Sequence, residues 1–171
     1  SFTASTAPIV MPINTATLAP QSAPTSYSYE GLAPYLEAGF VYVYAGFRGR
    51  SAGYDSTTGS DELYAGGSPW PAVDFKAAIR YLRYNNELLP CNTSKIFVFG
   101  FAAGGGLSAV LGTSGDSPLY TPYLKAVGAA THSEKGEQLS DSIYGSASWC
   151  PATSYDLADA AYEWSAGQYA D

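Results

Sequence analysis

Three residues pose the chemical question: Gly100, Ala102 and Gly104, spaced as the first, third and fifth positions of G-x-S-x-G. In that motif a serine stands on a sharp turn between a strand and a helix, where its hydroxyl can attack a carbonyl carbon. Residues two before and two after it must be small, or side chains would collide across the turn. The N–H of the next residue, here Ala103, points into the site at the helix N-terminus, where it can stabilise an oxyanion. The glycine frame is present, but the third position is Ala102, so the attacking oxygen is missing. Other Gly-rich turns fit less well. A Walker loop ends in Gly-Lys-Ser/Thr, whereas this run continues Gly106-Leu107-Ser108. A dinucleotide turn opens with G-x-G, and Ala102 stands where its second glycine belongs.

The elements that must hold this turn flank it directly. Ile96-Phe97-Val98-Phe99 has the β-branched and aromatic make-up of a buried strand, and the small apolar residues of 104–112 read as a helix packed closely on a sheet. Upstream, 6–13 reads as a buried strand interrupted by prolines. A long Pro/Ser/Thr/Ala-rich loop, 14–28, follows, of the kind that lines sites in α/β domains. Residues 29–38 read as a helix ended by Gly39 at C′, and 40–45 as a strand. A polar loop, 51–68, leads to a helix opened by Pro69-Trp70-Pro71, with Val73, Ala77, Ala78, Tyr81 and Leu82 at helical spacing through Asn85. Residues 88–94 read as a loop. After the Gly-rich turn, 113–122 reads as a loop, 123–130 as a helix, 131–141 as a polar surface insertion and 143–150 as a strand. A loop at 151–156 and a helix at 157–164 follow. This β-α alternation predicts one mostly parallel α/β sheet with helices on both faces.

Composition narrows the partners. The chain has 171 residues, 46% of them hydrophobic, and a formal charge of −7, which argues against nucleic acid. No apolar run reaches membrane-spanning length. The chain begins Ser1-Phe2-Thr3 without a basic or apolar leader, which reads as a processed or excised piece. Fifteen tyrosines against eight Lys plus Arg, with a sequon at Asn92-Thr93-Ser94 placed in a loop, suit a secreted glycoprotein. Cys91 and Cys150 fall at opposite ends of two strands, beyond disulfide reach of each other, so each is expected to pair, if at all, outside this chain.

Several stretches together resemble the tannase-type α/β-hydrolase esterases, the tannin acylhydrolases and their feruloyl-esterase-like relatives. They are Thr6-Ala7-Pro8-Ile9, Ala45-Gly46-Phe47-Arg48-Gly49-Arg50, the helix from Asp74 to Arg83, Lys95-Ile96-Phe97, Gly100 to Gly106, Gly115 to Leu124, and Trp149-Cys150-Pro151 on to Trp164. The resemblance implies a serine esterase that cleaves galloyl or hydroxycinnamoyl esters through an acyl-enzyme, with Ser, Asp and His in that chain order and no cofactor or metal. It also implies that the Asp and His lie downstream, because a complete fold of this type needs roughly 250 residues or more. Residues 1–171 would then be the elbow-bearing N-terminal portion. The lid and C-terminal portion would be its partner, possibly as a separate chain, alongside an aromatic ester substrate.

With Ala102 at the nucleophile position, the chain as written is expected to be inactive. An engineered replacement is preferred, since the surrounding glycines are intact; the alternative is a natural, non-catalytic binding protein of the same fold. In this fold class a second oxyanion donor comes from the loop after the first strand, within Asn14-Thr15-Ala16, with Thr15 the candidate. Pro151 and Ala152, after Cys150, are expected to rim the pocket beside an aromatic acyl group. The remaining chemistry-bearing residues receive structural readings. His132, the chain's one histidine, is placed at the far end of the sheet as a solvated loop residue. Asp156 and Asp159 are read as helix caps, and Asp74 as a first-turn carboxylate complementing the helix dipole. Arg48 and Arg50 are read as pairing with nearby acids, and Cys150 as packed or disulfide-bonded.

Overall fold

The structure, a computed structural model, describes residues 3, 5–15, 17–26, 28–49 and 68–153. Four parallel strands, β1 (Pro8–Ile13), β2 (Val41–Tyr42), β3 (Asn92–Phe101) and β4 (Gly145–Trp149), lie in the order β2-β1-β3-β4. Between and beside them run α1 (Ala33–Glu37), α2 (Trp70–Tyr84), α3 (Ala103–Thr113) and α4 (Thr121–Ala126), the last preceded by a 3₁₀ turn at Pro118–Tyr120. The expected parallel α/β architecture is borne out.

Period-two alternation sorts the strands into two faces. Ile9, Met11 and Ile13 of β1 and Ile96 and Val98 of β3 pack with Phe75, Ile79 and Leu82 of α2 and Leu107 and Leu111 of α3. Fully burying Phe75 and Ile79 stabilises the fold by about 1.5–3 kcal/mol each. The opposite face carries Phe97 and Phe99, and the Tyr35 ring of α1 lies 5.7 Å from Phe99 and 5.1 Å from Tyr42. The helices divide this way because the chain moves from β1 to β2 in one direction and from β2 across to β3 in the other. Right-handed crossovers in opposite directions put their helices on opposite faces. Connection direction therefore reverses between β1 and β3, and a crevice opens outside their carboxyl ends.

The sheet is narrowest at β2. The pattern 40–45 predicts a long strand, yet only Ile9↔Val41 and Val10↔Tyr42 pair with β1. The Val10 carbonyl accepts the Val43 N–H at 3.0 Å, so Val10 faces β2 and, by alternation, so do Pro8 and Pro12. Neither proline has an N–H to give, and the ladder stops. The helix expected over 29–38 forms only as α1, with Gly39 at φ 83° closing it as read. β3 begins at Asn92, earlier than the loop expected through 94, so the sequon lies at a strand start. The helix expected over 123–130 is α4, shifted to Thr121–Ala126.

The largest correction concerns 131–141, expected to be a surface insertion. Its end is core: Leu139 is buried and Asp141 is 1% exposed. Asp141 pairs with Lys76 Nζ at 2.7 Å and Arg80 at 2.6 Å, both from α2. Lys76 is fully buried, also donates to the Ser114 carbonyl at 2.6 Å, and has the Tyr120 ring 4.6 Å away. Polar composition misled here because the charge is neutralised by partners distant in sequence. The helix expected over 157–164, with Asp156 and Asp159, lies outside the described residues, as do Arg50 and nearly all of the 51–68 loop.

Candidate active site

The strand β3 and helix α3 meet at Ala102 with no intervening loop, and that junction fixes the site. Ala102 has φ 54° and ψ −118°, a conformation non-glycine residues rarely adopt and one that costs about 1–3 kcal/mol. Its surroundings over-determine it. The Ala102 N–H donates to the Trp149 carbonyl at 3.0 Å, and its carbonyl accepts from Gly106 at 3.0 Å and Ala152 at 3.1 Å. Gly100 and Gly104 are required by close approach: a Cβ on Gly100 would run into the Gly104 backbone, and one on Gly104 into the Ile13 carbonyl. Ala102 itself is half-buried at the tip, and Phe101 beside it is exposed. Ala103, buried, is the first residue of α3.

α3 can lie this close because its sheet-facing residues are small. Ser108 is fully buried and its hydroxyl reaches the Val98 carbonyl at 3.3 Å and the Ala147 carbonyl at 3.4 Å.

The loop after β1 arrives at the same point from across the crevice. The Thr15 carbonyl accepts the Gly104 N–H at 2.9 Å. Thr15 is 7% exposed, and its hydroxyl has no hydrogen-bond partner among the described residues. Such a buried, unsatisfied hydroxyl is costly unless something else uses it. Asn14, next to it, bonds the Tyr42 phenol; burial pushes that phenol's pKa up, and the Asn14 bond only partly offsets the effect.

On the third side, the loop after β4 brings Pro151 and Ala152 against the elbow. The Pro151 Cα stands 3.4 Å from where a Gly105 side chain would begin, and both residues are exposed. Thus Ala102, Ala103, Thr15, Pro151 and Ala152 converge on one spot at the carboxyl ends of the strands. Sequence reasoning passed over Gln21, whose buried carboxamide braces the β1 loop; it sits in a stretch without periodicity, and nothing in its spacing marks it.

The other candidates fall elsewhere. His132 is exposed and its Nδ1 lies 3.1 Å from the Thr131 hydroxyl, in a bridge with Gln138. That segment borders a polar cleft of about 570 Å³ lined by Arg83, Glu87, Thr93 and Lys135, at the amino end of β3 and away from the elbow. Asp74 is not in the first turn of α2 but one residue beyond it. It accepts the Arg48 backbone N–H at 2.8 Å and the guanidinium at 2.9 and 2.7 Å. That bond first, and the Asp74 charge beside it, hold the Arg48 pKa above its ordinary value despite burial; the guanidinium also lies 4.4 Å from the Trp70 ring centre. Arg48 is thus a structural residue that ties the end of the β2 segment to α2. Cys150, read as packed or disulfide-bonded, is an exposed free thiol with φ 45°. Cys91 is a buried free thiol whose pKa burial pushes up. Among the described residues no cluster of His, Cys, Asp or Glu could hold a metal, and no helix is long and apolar enough to cross a membrane.

A parallel sheet whose strand–helix corner holds a strained residue between two glycines, at the reversal point of the strand order, is the architecture of the α/β-hydrolase fold. Its relatives are specific: the chain resembles tannases over nearly its whole length. It is similar to the tannase of Fusobacterium nucleatum at 38% identity and a TM-score of 0.75, covering 98% of this chain and 34% of that one. It is similar to the tannin acyl hydrolase of Lactobacillus plantarum at 35% identity and a TM-score of 0.75, covering 96% and 34%. A tannin acyl hydrolase solved in complex with ethyl gallate matches at 34% identity and 0.75, covering 99% and 36%. The chain therefore spans about a third of the length of these structures. A family model described as BD-FAE matches residues 61–138. No curated protein is significantly similar to the chain.

Proposed function

We propose that the chain is the elbow-bearing part of a tannase-like ester hydrolase acting on galloyl or hydroxycinnamoyl esters, with its nucleophile position occupied by Ala102. The observation that carries this is the backbone at 102: a strained φ of 54° kept at a methyl-bearing residue that gains nothing from it. Strain of this kind is retained where a reacting group has to be presented. In the active form a serine hydroxyl at 102 attacks the ester carbonyl, its proton passes to a histidine, and the alcohol leaves. Water then releases the acid from the acyl-enzyme. The Ala103 N–H and a donor at Thr15 receive the oxyanion, and Pro151 and Ala152 border the acyl group. The His and its Asp come from the remainder of the fold, on the same or a separate chain, and the protein is secreted.

The test is Ala102→Ser in the protein together with that remainder. The expected outcome is hydrolysis of methyl gallate or methyl ferulate and labelling by a serine-directed phosphonate. Absence of both sinks the esterase reading and leaves the non-catalytic binding protein, which the missing hydroxyl itself favours. Tight, unhydrolysed binding of the ester by the Ala102 form would then be its signature.

A further inference from the structure

We propose that Gln21 is the positioning residue of this site: its buried carboxamide bridges backbone groups of β1 and of the segment after β2 where the two no longer pair directly, and thereby sets the loop carrying Thr15 against the elbow. Gln21 is 5% exposed, although it lies in a Pro/Ser/Thr-rich loop. Its backbone forms a two-way antiparallel bridge with Phe47, the Gln21 N–H donating at 3.0 Å and the Phe47 N–H at 2.8 Å. This bridge turns the side chain into the gap where β1 and the segment after β2 part company. There Nε2 donates to the Ala45 carbonyl at 2.7 Å and to the Pro12 carbonyl at 3.3 Å. Oε1 accepts the Asn14 N–H at 2.8 Å.

One side chain therefore satisfies three backbone groups, on the two splayed strands and on the first residue beyond β1. A buried amide or carbonyl left without a partner is costly, so each of these bonds holds its backbone in place. The consequence passes along the chain. Asn14 fixed by Gln21 is followed by Thr15, whose carbonyl takes the Gly104 N–H two residues after the elbow. Gln21, which contacts neither Ala102 nor any reacting atom in this arrangement, decides where the Thr15 hydroxyl stands relative to Ala102. It is a positioning residue rather than a catalytic one.

The test has two arms, of which only the second rests on the esterase reading. Gln21→Met keeps the volume and removes the carboxamide. In the Ala102 protein, hydrogen exchange at Asn14 and Gly104 should accelerate together by tenfold or more, with Val98 in the centre of β3 unchanged. In the Ala102→Ser protein, the same substitution should lower kcat and the phosphonate labelling rate at least tenfold while KM moves less than threefold. Gln21→Glu keeps the acceptor for Asn14, so it should restore Asn14 protection in part. Unchanged exchange at Gly104, acceleration spread equally through β1 and β3, or a loss confined to KM would each overturn the proposal. If Ala102→Ser shows no labelling while the exchange arm behaves as expected, the esterase reading fails and the positioning role stands.

Discussion

The two ends of the sheet are built on opposite rules. At the carboxyl end, backbone strain at Ala102, an unpartnered Thr15 hydroxyl and exposed Phe101 and Trp149 are gathered within one turn of the elbow. At the amino end, charge is buried but answered. Asp141 takes Lys76 and Arg80, gives an acceptor to the Asp116 N–H at 2.9 Å, and sends its own N–H to Asp116 at 2.7 Å. Arg83 completes this end by donating to the carbonyls of Thr93, Ser140 and Ser142 at 3.1, 2.8 and 2.7 Å. The comparison teaches how to tell a device for holding the fold from a site that awaits a ligand. Each end keeps one buried hydroxyl without a partner among the described residues, Thr15 at the elbow and Ser114 beside Lys76, so what separates them is that the amino end answers its buried charges internally while the carboxyl end holds the strained backbone.

The contrast can be broken most forcefully at the amino end. Asp141→Ala leaves the buried Lys76 and the partly buried Arg80 without their carboxylate and should cost about 3–5 kcal/mol, read as a large drop in the urea midpoint. If the loss is under 1 kcal/mol, the amino end is not the lock described. At the strained end the sign reverses. Ala102→Gly removes the Cβ penalty at φ 54° and should stabilise the protein by about 1 kcal/mol in the same measurement. A destabilisation there would mean that the strain at 102 is not real.

The finest test is pH. Burial pulls the Asp116 pKa upward, but hydrogen bonds from the Ser140 hydroxyl, the Asp141 N–H and the Ser142 hydroxyl, with the nearby Arg80 charge, outweigh it and hold the pKa below the ordinary value of 3.8. A carboxyl depressed by folding adds stability above its unfolded pKa and loses it as pH falls through the folded one. Asp116→Asn should therefore be less stable than the parent at pH 7, with the gap closing below about pH 4. A gap that stays constant down to pH 2 would show that the carboxylate charge contributes nothing.

The sequence carried the elbow and its two flanking elements because each depends on local pattern. Phe97 to Phe99 is a strand by composition, and Gly100 to Gly106 is a turn into a helix by steric need. What it concealed was non-local. The strand at 40–45 is shortened by Pro12, thirty residues earlier and on the neighbouring strand. Asp141, flanked by Ser140 and Ser142, looks solvated until α2 is placed against it. A signal did exist in Lys76, set among Val73, Phe75 and Ile79 on the buried stripe of α2, where an unpaired lysine could not remain. Gln21 had no such signal, because its role depends on a gap between strands that only the assembled sheet contains.

The Lys76 contacts also impose an order of events during synthesis. Its partners are Ser114 and Asp141, 38 and 65 residues further along. Until the ribosome has released the chain beyond 141, α2 must keep a cation off the sheet or leave it uncompensated against apolar neighbours. The final packing of α2 is therefore completed only by a segment not yet made. A nascent chain stalled near residue 130 should remain open to protease where one released past 145 is closed.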